Sequence, residues 1–178
     1  TAQNFTTATN AYNVAVGRSA GESITTGQQN TFVGALAGDA LTDADFNVAV
    51  GTGALSADTL GSRSVAIGTY ALNAQNFTTA TNSFNVAVGH SAGTLISTGI
   101  VNTLVGGLCG DALTSGDSNT AMGYVALSTD TLGDRAVALG YGALQNQNFT
   151  TTTDNYNVAV GYNAGNDITV GIRNTLIG

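Results

Sequence analysis

The chain has 178 residues, among them 24 Gly, no Pro and no Trp, with 8% charged residues and a net charge of −7. All four basic residues are Arg and the only Glu is Glu22, so the helix formers Lys and Glu are almost absent while the turn and strand residues Asn, Asp, Thr and Gly abound. That balance argues against nucleic acid and anionic membranes as partners, and no apolar run approaches the ~20 residues that span a bilayer.

The first predicted element is the strand Asn13-Val14-Ala15-Val16-Gly17, and it recurs. The phrase ends at Gly17, Gly34, Gly51, Gly68, Gly89, Gly106, Gly123, Gly140, Gly161 and Gly178, in steps of 17 except for two of 21. Three short steps and one long step make a super-repeat of 72 residues, about 2–73, 74–145 and a partial 146–178, within one repeat domain spanning 1–178. Internal periods of this size signal a solenoid.

Each column of the phrase has a physical reading. The residue before Gly is always a large aliphatic, and the one two places earlier is Val or Thr, which is strand alternation. Between them stands Ala, except at Phe32, Leu104 and Leu176. Both faces are apolar, so both should be buried. The opening Asn, present in eight of ten units, suits a stacked amide ladder, and the Gly suits a corner that needs positive φ or has no room for Cβ. Three residues past each Gly stands Ala, replaced once by Cys109, which reads as a small buried hydrophobe. Next, a column of Gly21, Gly38, Leu55 and Leu72 repeats 72 residues on, followed by apolar residues such as Ile24 and Leu41. This pattern predicts a second, less regular strand, so each coil would hold two strands of about five residues. The fold expected is all-β: a parallel β-roll or β-helix of about ten coils of 17 or 21 residues, roughly 45 Å long.

A two-layer roll leaves one strand face open. The face taken to be open is the middle column: Ala15, Phe32, Ala49, Ala66, Ala87, Leu104, Ala121, Ala138, Ala159 and Leu176. Self-association about a closed axis would cover it, and small side chains allow close approach. The alternative is a wider single-chain solenoid whose interior takes both faces.

The long coils insert extra residues near Asn4–Asn10, Asn76–Asn82 and Asn148–Asn155. Loops on a rigid scaffold are where binding concentrates. Their candidate receptor contacts are Phe5, Thr6, Thr7, Asn10 and Tyr12; Phe77, Thr78, Thr79, Asn82 and Phe84; and Phe149, Thr150, Thr151 and Tyr156. Aromatics beside amides and hydroxyls suit glycans, whereas Phe in one frame also suits rings tucked against the neighbouring coil.

Catalytic and metal inventories are thin. His90 is the only His and reads as a surface residue; no catalytic or metal-binding residue and no cofactor is expected. Asp39, Asp43 and Asp45 read as solvated turn carboxylates rather than a Ca²⁺ site. A Thr file (Thr25, Thr42, Thr59, Ser97, Thr114, Thr131 and Thr169) reads as ladder hydrogen bonds rather than an ice-binding array.

Ser64-Val65-Ala66-Ile67-Gly68 and Ala136-Val137-Ala138-Leu139-Gly140 resemble the head repeat of YadA-like trimeric autotransporter adhesins, and Asn119-Thr120-Ala121-Met122-Gly123-Tyr124 resembles repeats of bacteriophage tail fibres. The resemblance covers the whole chain, although these coils are longer than in the usual adhesin head. It implies a left-handed parallel β-roll, a homotrimer and a role in attachment, located outside the cell on a virion tail fibre or a bacterial surface. The expected function is therefore a structural and adhesive fibre segment, not an enzyme, whose partners are two further copies of itself and a cell-surface polysaccharide or glycoprotein. No nucleic acid and no membrane insertion of this segment are expected. Because the chain begins inside a repeat and ends on Gly178, more coils or another domain are expected to flank it. The rival is a single-chain ice-binding or surface-array solenoid.

Overall fold

The computed structural model describes residues 10–178. Among these there is no helix, and the chain winds as a parallel β-solenoid of about ten turns. Fourteen short strands form: β1 Val14–Val16, β2 Thr31–Val33, β3 Val48–Val50, β4 Gly61–Ser62, β5 Val65–Ile67, β6 Thr81–Asn82, β7 Val86–Val88, β8 Thr103–Val105, β9 Thr120–Met122, β10 Gly133–Asp134, β11 Val137–Leu139, β12 Thr153–Asp154, β13 Val158–Val160 and β14 Thr175–Ile177. The ten phrase strands make one parallel sheet in chain order, each phrase residue pairing with its equivalent in the next coil. The other four form two small pairs, β4 with β6 and β10 with β12, at the long coils.

The phrase strands are three residues long, not five, and the second strand expected in every coil forms only in the two lengthened coils and in the 17-residue coil before each of them. Their return path is a stack of turns joined from coil to coil by backbone hydrogen bonds, such as Gly21 N–H to the Ala37 carbonyl (2.9 Å) and Ser23 N–H to that of Asp39 (3.0 Å). Extension is interrupted because residues such as Leu36, Leu55 and Tyr70 sit at φ near +50 to +60°. The short closing strand appears only in pairs, one partner in a lengthened coil and the other in the coil before it.

The Asn ladder holds the register. The Asn30 N–H donates to Asn13 Oδ1 (2.8 Å), and that of Asn47 to Asn30 Oδ1 (2.9 Å). Each amide nitrogen reaches across its own coil, from Asn30 Nδ2 to the Ala44 carbonyl (2.7 Å) and from Asn47 Nδ2 to that of Gly61 (2.9 Å). One side chain thus joins sheet to return path and coil to coil, with its buried polar atoms satisfied. The Gly column has both properties expected of it: Gly34 has φ +139°, and a Cβ there would collide with the Gly51 carbonyl.

The middle column of the sheet does not face outward. Ala49, Ala66, Ala87, Leu104, Ala121, Ala138 and Ala159 are 0% exposed and Phe32 is 1% exposed, all within the core. Ala15 and Leu176, in the first and last phrase strands, belong to the same inward column but are less covered. These ten residues therefore line the solenoid interior and are not an intermolecular face. The reason is space: a 17-residue coil is narrow, and Ala leaves room for a Leu from the opposite wall. Where the sheet supplies Ala49 and Ala66, the wall supplies Leu55 and Leu72; where the sheet supplies Phe32, the wall has Gly21 and Gly38. A Cβ on Gly21 would stand 2.7 Å from the Phe32 ring. Leu104 repeats the pairing with Gly93 and Gly110, where a Cβ would stand 2.9 Å from its methyls. The 72-residue super-repeat is thus an alternation of which wall fills the core.

What faces outward is the flanking pair of columns, which includes Val14, Val16, Val33, Ile67, Met122, Val160 and Ile177, all exposed.

Cys109 occupies the buried Ala column, its Sγ donating to the Ala121 carbonyl at 3.3 Å. Burial pushes its thiol up to about 12, so the reactive thiolate is scarce at neutral pH. Native protein is expected to resist iodoacetamide at about pH 8 and to label fully once unfolded, and Cys109→Ala to cost about 1 kcal/mol or less. Rapid labelling of folded protein would contradict this placement.

Asp39 and Asp111, 72 residues apart, each have one buried carboxylate oxygen with no hydrogen-bond partner among the described residues. Burial raises both carboxyls above the ordinary range, and the neighbouring Glu22 charge adds to the effect at Asp39. A group that holds its proton more tightly folded than unfolded destabilises the fold at neutral pH. Stability should then rise as pH falls through the window between the raised folded value and the ordinary carboxylate value. Thermal midpoints are expected to be higher at about pH 5 than at about pH 7, with a smaller difference in Asp39→Asn/Asp111→Asn. An unchanged pH slope in that variant would rule the two residues out as its source.

Candidate functional site

The corner residue just before the opening Asn forms a file up the rod: Tyr12, Gln29, Phe46, Arg63, Phe84, Val101, Ser118, Arg135, Tyr156 and Arg173. All ten have φ between +51° and +66°, although none is Gly or Asn. Bulky residues pay conformational energy there, of order 1 kcal/mol each. The corner carries them outward, and all ten are exposed. On the other side of the outward sheet face, just after the Gly column, runs a second file, partly exposed and ending in the exposed Tyr124, Tyr141 and Tyr162. Their rings stack in sequence, with centroids 5.7 and 5.2 Å apart. His90 lies in this same file and is exposed.

The first file joins the inserted loops. In the loop between β5 and β6, the exposed stretch is Thr78 to Ala80, followed by β6 with Asn82. Thr150 and Thr151 are exposed in the equivalent loop, as are Asn10, Tyr12, Phe84 and Tyr156. Phe5, Thr6 and Thr7 lie outside the described residues. Phe77 and Phe149 are 7% and 6% exposed, so they are anchors of the loops and not receptor contacts. The Phe77 ring packs over Gly61, where a Cβ would stand 2.8 Å from it.

Beneath each loop lies a buried polar knot. Asp58 Oδ1 accepts the N–H groups of Gly61 and Phe77, both at 3.0 Å, while Oδ2 accepts from Gln75 Nε2 at 2.6 Å. Gln75 Oε1 in turn accepts from Asn85 Nδ2 at 2.8 Å. The knot recurs with Asp130, Gly133, Phe149, Gln147 and Asn157. Charge-assisted bonds to a buried carboxylate are strong, so the loops are held on a rigid base. Gln75 and Gln147, fully buried, were not singled out in the sequence; their 72-residue recurrence was the available signal.

One place in the file departs from a simple stripe. Arg63 stands between Phe46 and Phe84 of the neighbouring coils, its guanidinium carbon 4.7 and 5.9 Å from the two ring centroids. Its Nε donates to Asn82 Oδ1 at 3.0 Å. In the next super-repeat the equivalent Arg135 lies 5.7 Å from the Tyr156 ring and is ion-paired with Asp154. Sequence reading missed Arg63, because steps of 17 and 21 scatter this trio along the chain.

Asp43 and Asp45 engage the preceding coil: Thr26 Oγ1 donates to Asp43 (2.6 Å) and the Gln28 N–H to Asp45 (2.8 Å). The Thr file also bonds within the protein. Thr25 and Thr42 donate to the carbonyls of Thr42 and Thr59, at 3.2 and 3.1 Å, and Thr114 donates to that of Thr131 at 3.0 Å. Comparison of the chain with protein-family models, with curated proteins and with solved structures gives no match in any of the three.

Proposed function

We propose that this chain is a structural and adhesive segment of a trimeric extracellular fibre, of the kind found in phage tail fibres or bacterial adhesin heads. The observation that carries the reading is the outward face of the ten-stranded sheet. In its ten strands one column is Val or Thr and the other Val, Ile, Leu or Met, a largely apolar band two side chains wide and about 45 Å long. A band of that length on a monomer marks an interaction face, and a face that repeats identically up a rod is best covered by copies of itself about one axis. The resemblance to trimeric heads selects three copies and a left-handed winding. In that arrangement the two aromatic files border the interface and run along the outer seams, where a ligand on another surface reaches them.

The ice-binding rival has less support, because the Thr hydroxyls that would form its array are engaged with the next coil. Mass measurement in solution tests the proposal: a monomer across the micromolar range would overturn it.

A further inference from the structure

The two complete super-repeats differ around one Arg in a way that points to a ligand. Arg63 and Arg135 are equivalent, at the same corner with nearly the same φ (66° and 61°) and the same backbone bond, to the carbonyls of Asp45 and Asp117, both at 3.0 Å. Four neighbours have changed, one of them the conservative exchange of Phe84 for Tyr156. Asn82 stands where the second copy has Asp154, Ser62 where it has Asp134, and Phe46 where it has Ser118. Asp154 neutralises Arg135, and Asp134 lies close enough for the two charges to interact. Around Arg63 both acids are gone and a second aromatic ring is present. Its Nε is held by neutral Asn82, while its two Nη groups have no hydrogen-bond partner among the described residues. Asp45, the residue before Phe46, accepts the Gln28 N–H and makes no ion pair with Arg63.

From this contrast we infer that Arg63, flanked by Phe46 and Phe84 and oriented by Asn82, is a binding subsite for an anionic sugar. The guanidinium fork matches a carboxylate or sulfate in two-point fashion. The rings beside it offer the apolar surface on which a sugar ring packs. Unpaired charge in a chain of net charge −7 is also selective: it attracts an anion locally while the remaining surface repels one held elsewhere. The copy at Arg135 is self-neutralised and is not such a site. This inference rests on the adhesive part of the proposed function and names its ligand class.

The test is titration of the intact chain with a uronic-acid oligosaccharide, a sulfated oligosaccharide and a neutral oligosaccharide of equal length. The expected result is salt-sensitive binding of an anionic oligomer at one site per chain, with the uronate and sulfate arms showing which anion it takes. Asn82→Asp and Arg63→Gln should each weaken binding about tenfold or more, the scale of one lost charge-assisted contact. Both variants should fold, since the sister coil carries an Asp at the Asn82 position and Arg63 is exposed. Transplanting Ser118→Phe, Asp134→Ser and Asp154→Asn should raise the stoichiometry from one to two per chain. Equal binding of the neutral oligomer, absence of binding, or unchanged affinity in Asn82→Asp would overturn the inference. Light scattering on the same samples separates the two ideas: a monomer that binds retains the subsite and loses the fibre, and a trimer that does not bind does the reverse.

Discussion

If the chain forms the proposed trimer, aspartate at both Val88 and Val105 is expected to give monomers that retain the solenoid. Both side chains lie in the outward column, adjacent in the sheet through β7 and β8. In a separate chain each carboxylate would face water, and the cost is limited to strand preference, about 1 kcal/mol at most per site. At a threefold axis the same change would bring six carboxylates together away from solvent, each costing several kcal/mol without a partner. Light scattering should report one-third of the parent mass with unchanged far-UV circular dichroism. Ala121→Glu should behave differently. Ala121 is fully buried inside the coil, so its carboxylate has neither space nor water, and the expected result is loss of folded protein. If the Val88→Asp/Val105→Asp chain remains trimeric, the axis lies elsewhere. If Ala121→Glu folds normally and only loses its partners, the inward assignment of the Ala column is wrong.

That contrast shows where the sequence was informative. Parallel stacking makes every coil repeat the same environment at the same position, so the Asn, Gly and Ala columns were legible as register, corner and close packing. Cys109 could be placed for the same reason. The choice of face was not legible. Strand alternation shows that residues 14 and 16 share a side opposite residue 15, but with both sides apolar it does not say which is inside. Small Ala looked like a close intermolecular approach when it was making room for Leu55 and Leu72. The return path was hidden because Leu and Tyr at positive φ are not announced by residue type. Within the loops, Phe77 and Phe84 are the same residue seven positions apart, one tucked over Gly61 and one exposed. Only the coil geometry separates them. Likewise the Arg63 site depends on neighbours 17 and 21 residues away, which become adjacent only once the coils are stacked.

The core alternation leads to the second large effect. Phe32→Ala alone should cost about 3–5 kcal/mol, since it removes the largest buried side chain at its level of the core. Gly38→Leu alone should also destabilise, by about 1–3 kcal/mol or more, because the new side chain meets the Phe32 ring. Together they should not add. The double variant repeats the combination found naturally one coil further on, where the sheet offers Ala49 and the wall offers Leu55. The backbone already suits it: Gly38 has φ +57°, and Leu55 holds its side chain at +54°. The left-handed conformation costs Leu about 1 kcal/mol, and Gly21 still leaves some empty space opposite the shortened side chain, so recovery should be substantial and incomplete. Urea unfolding of the parent, the two single variants and the double variant measures the coupling, expected at about 1–3 kcal/mol in favour of the pair. Simple additivity would mean that the two walls are filled independently, and the 72-residue period would then need another cause than the exchange of volume between them.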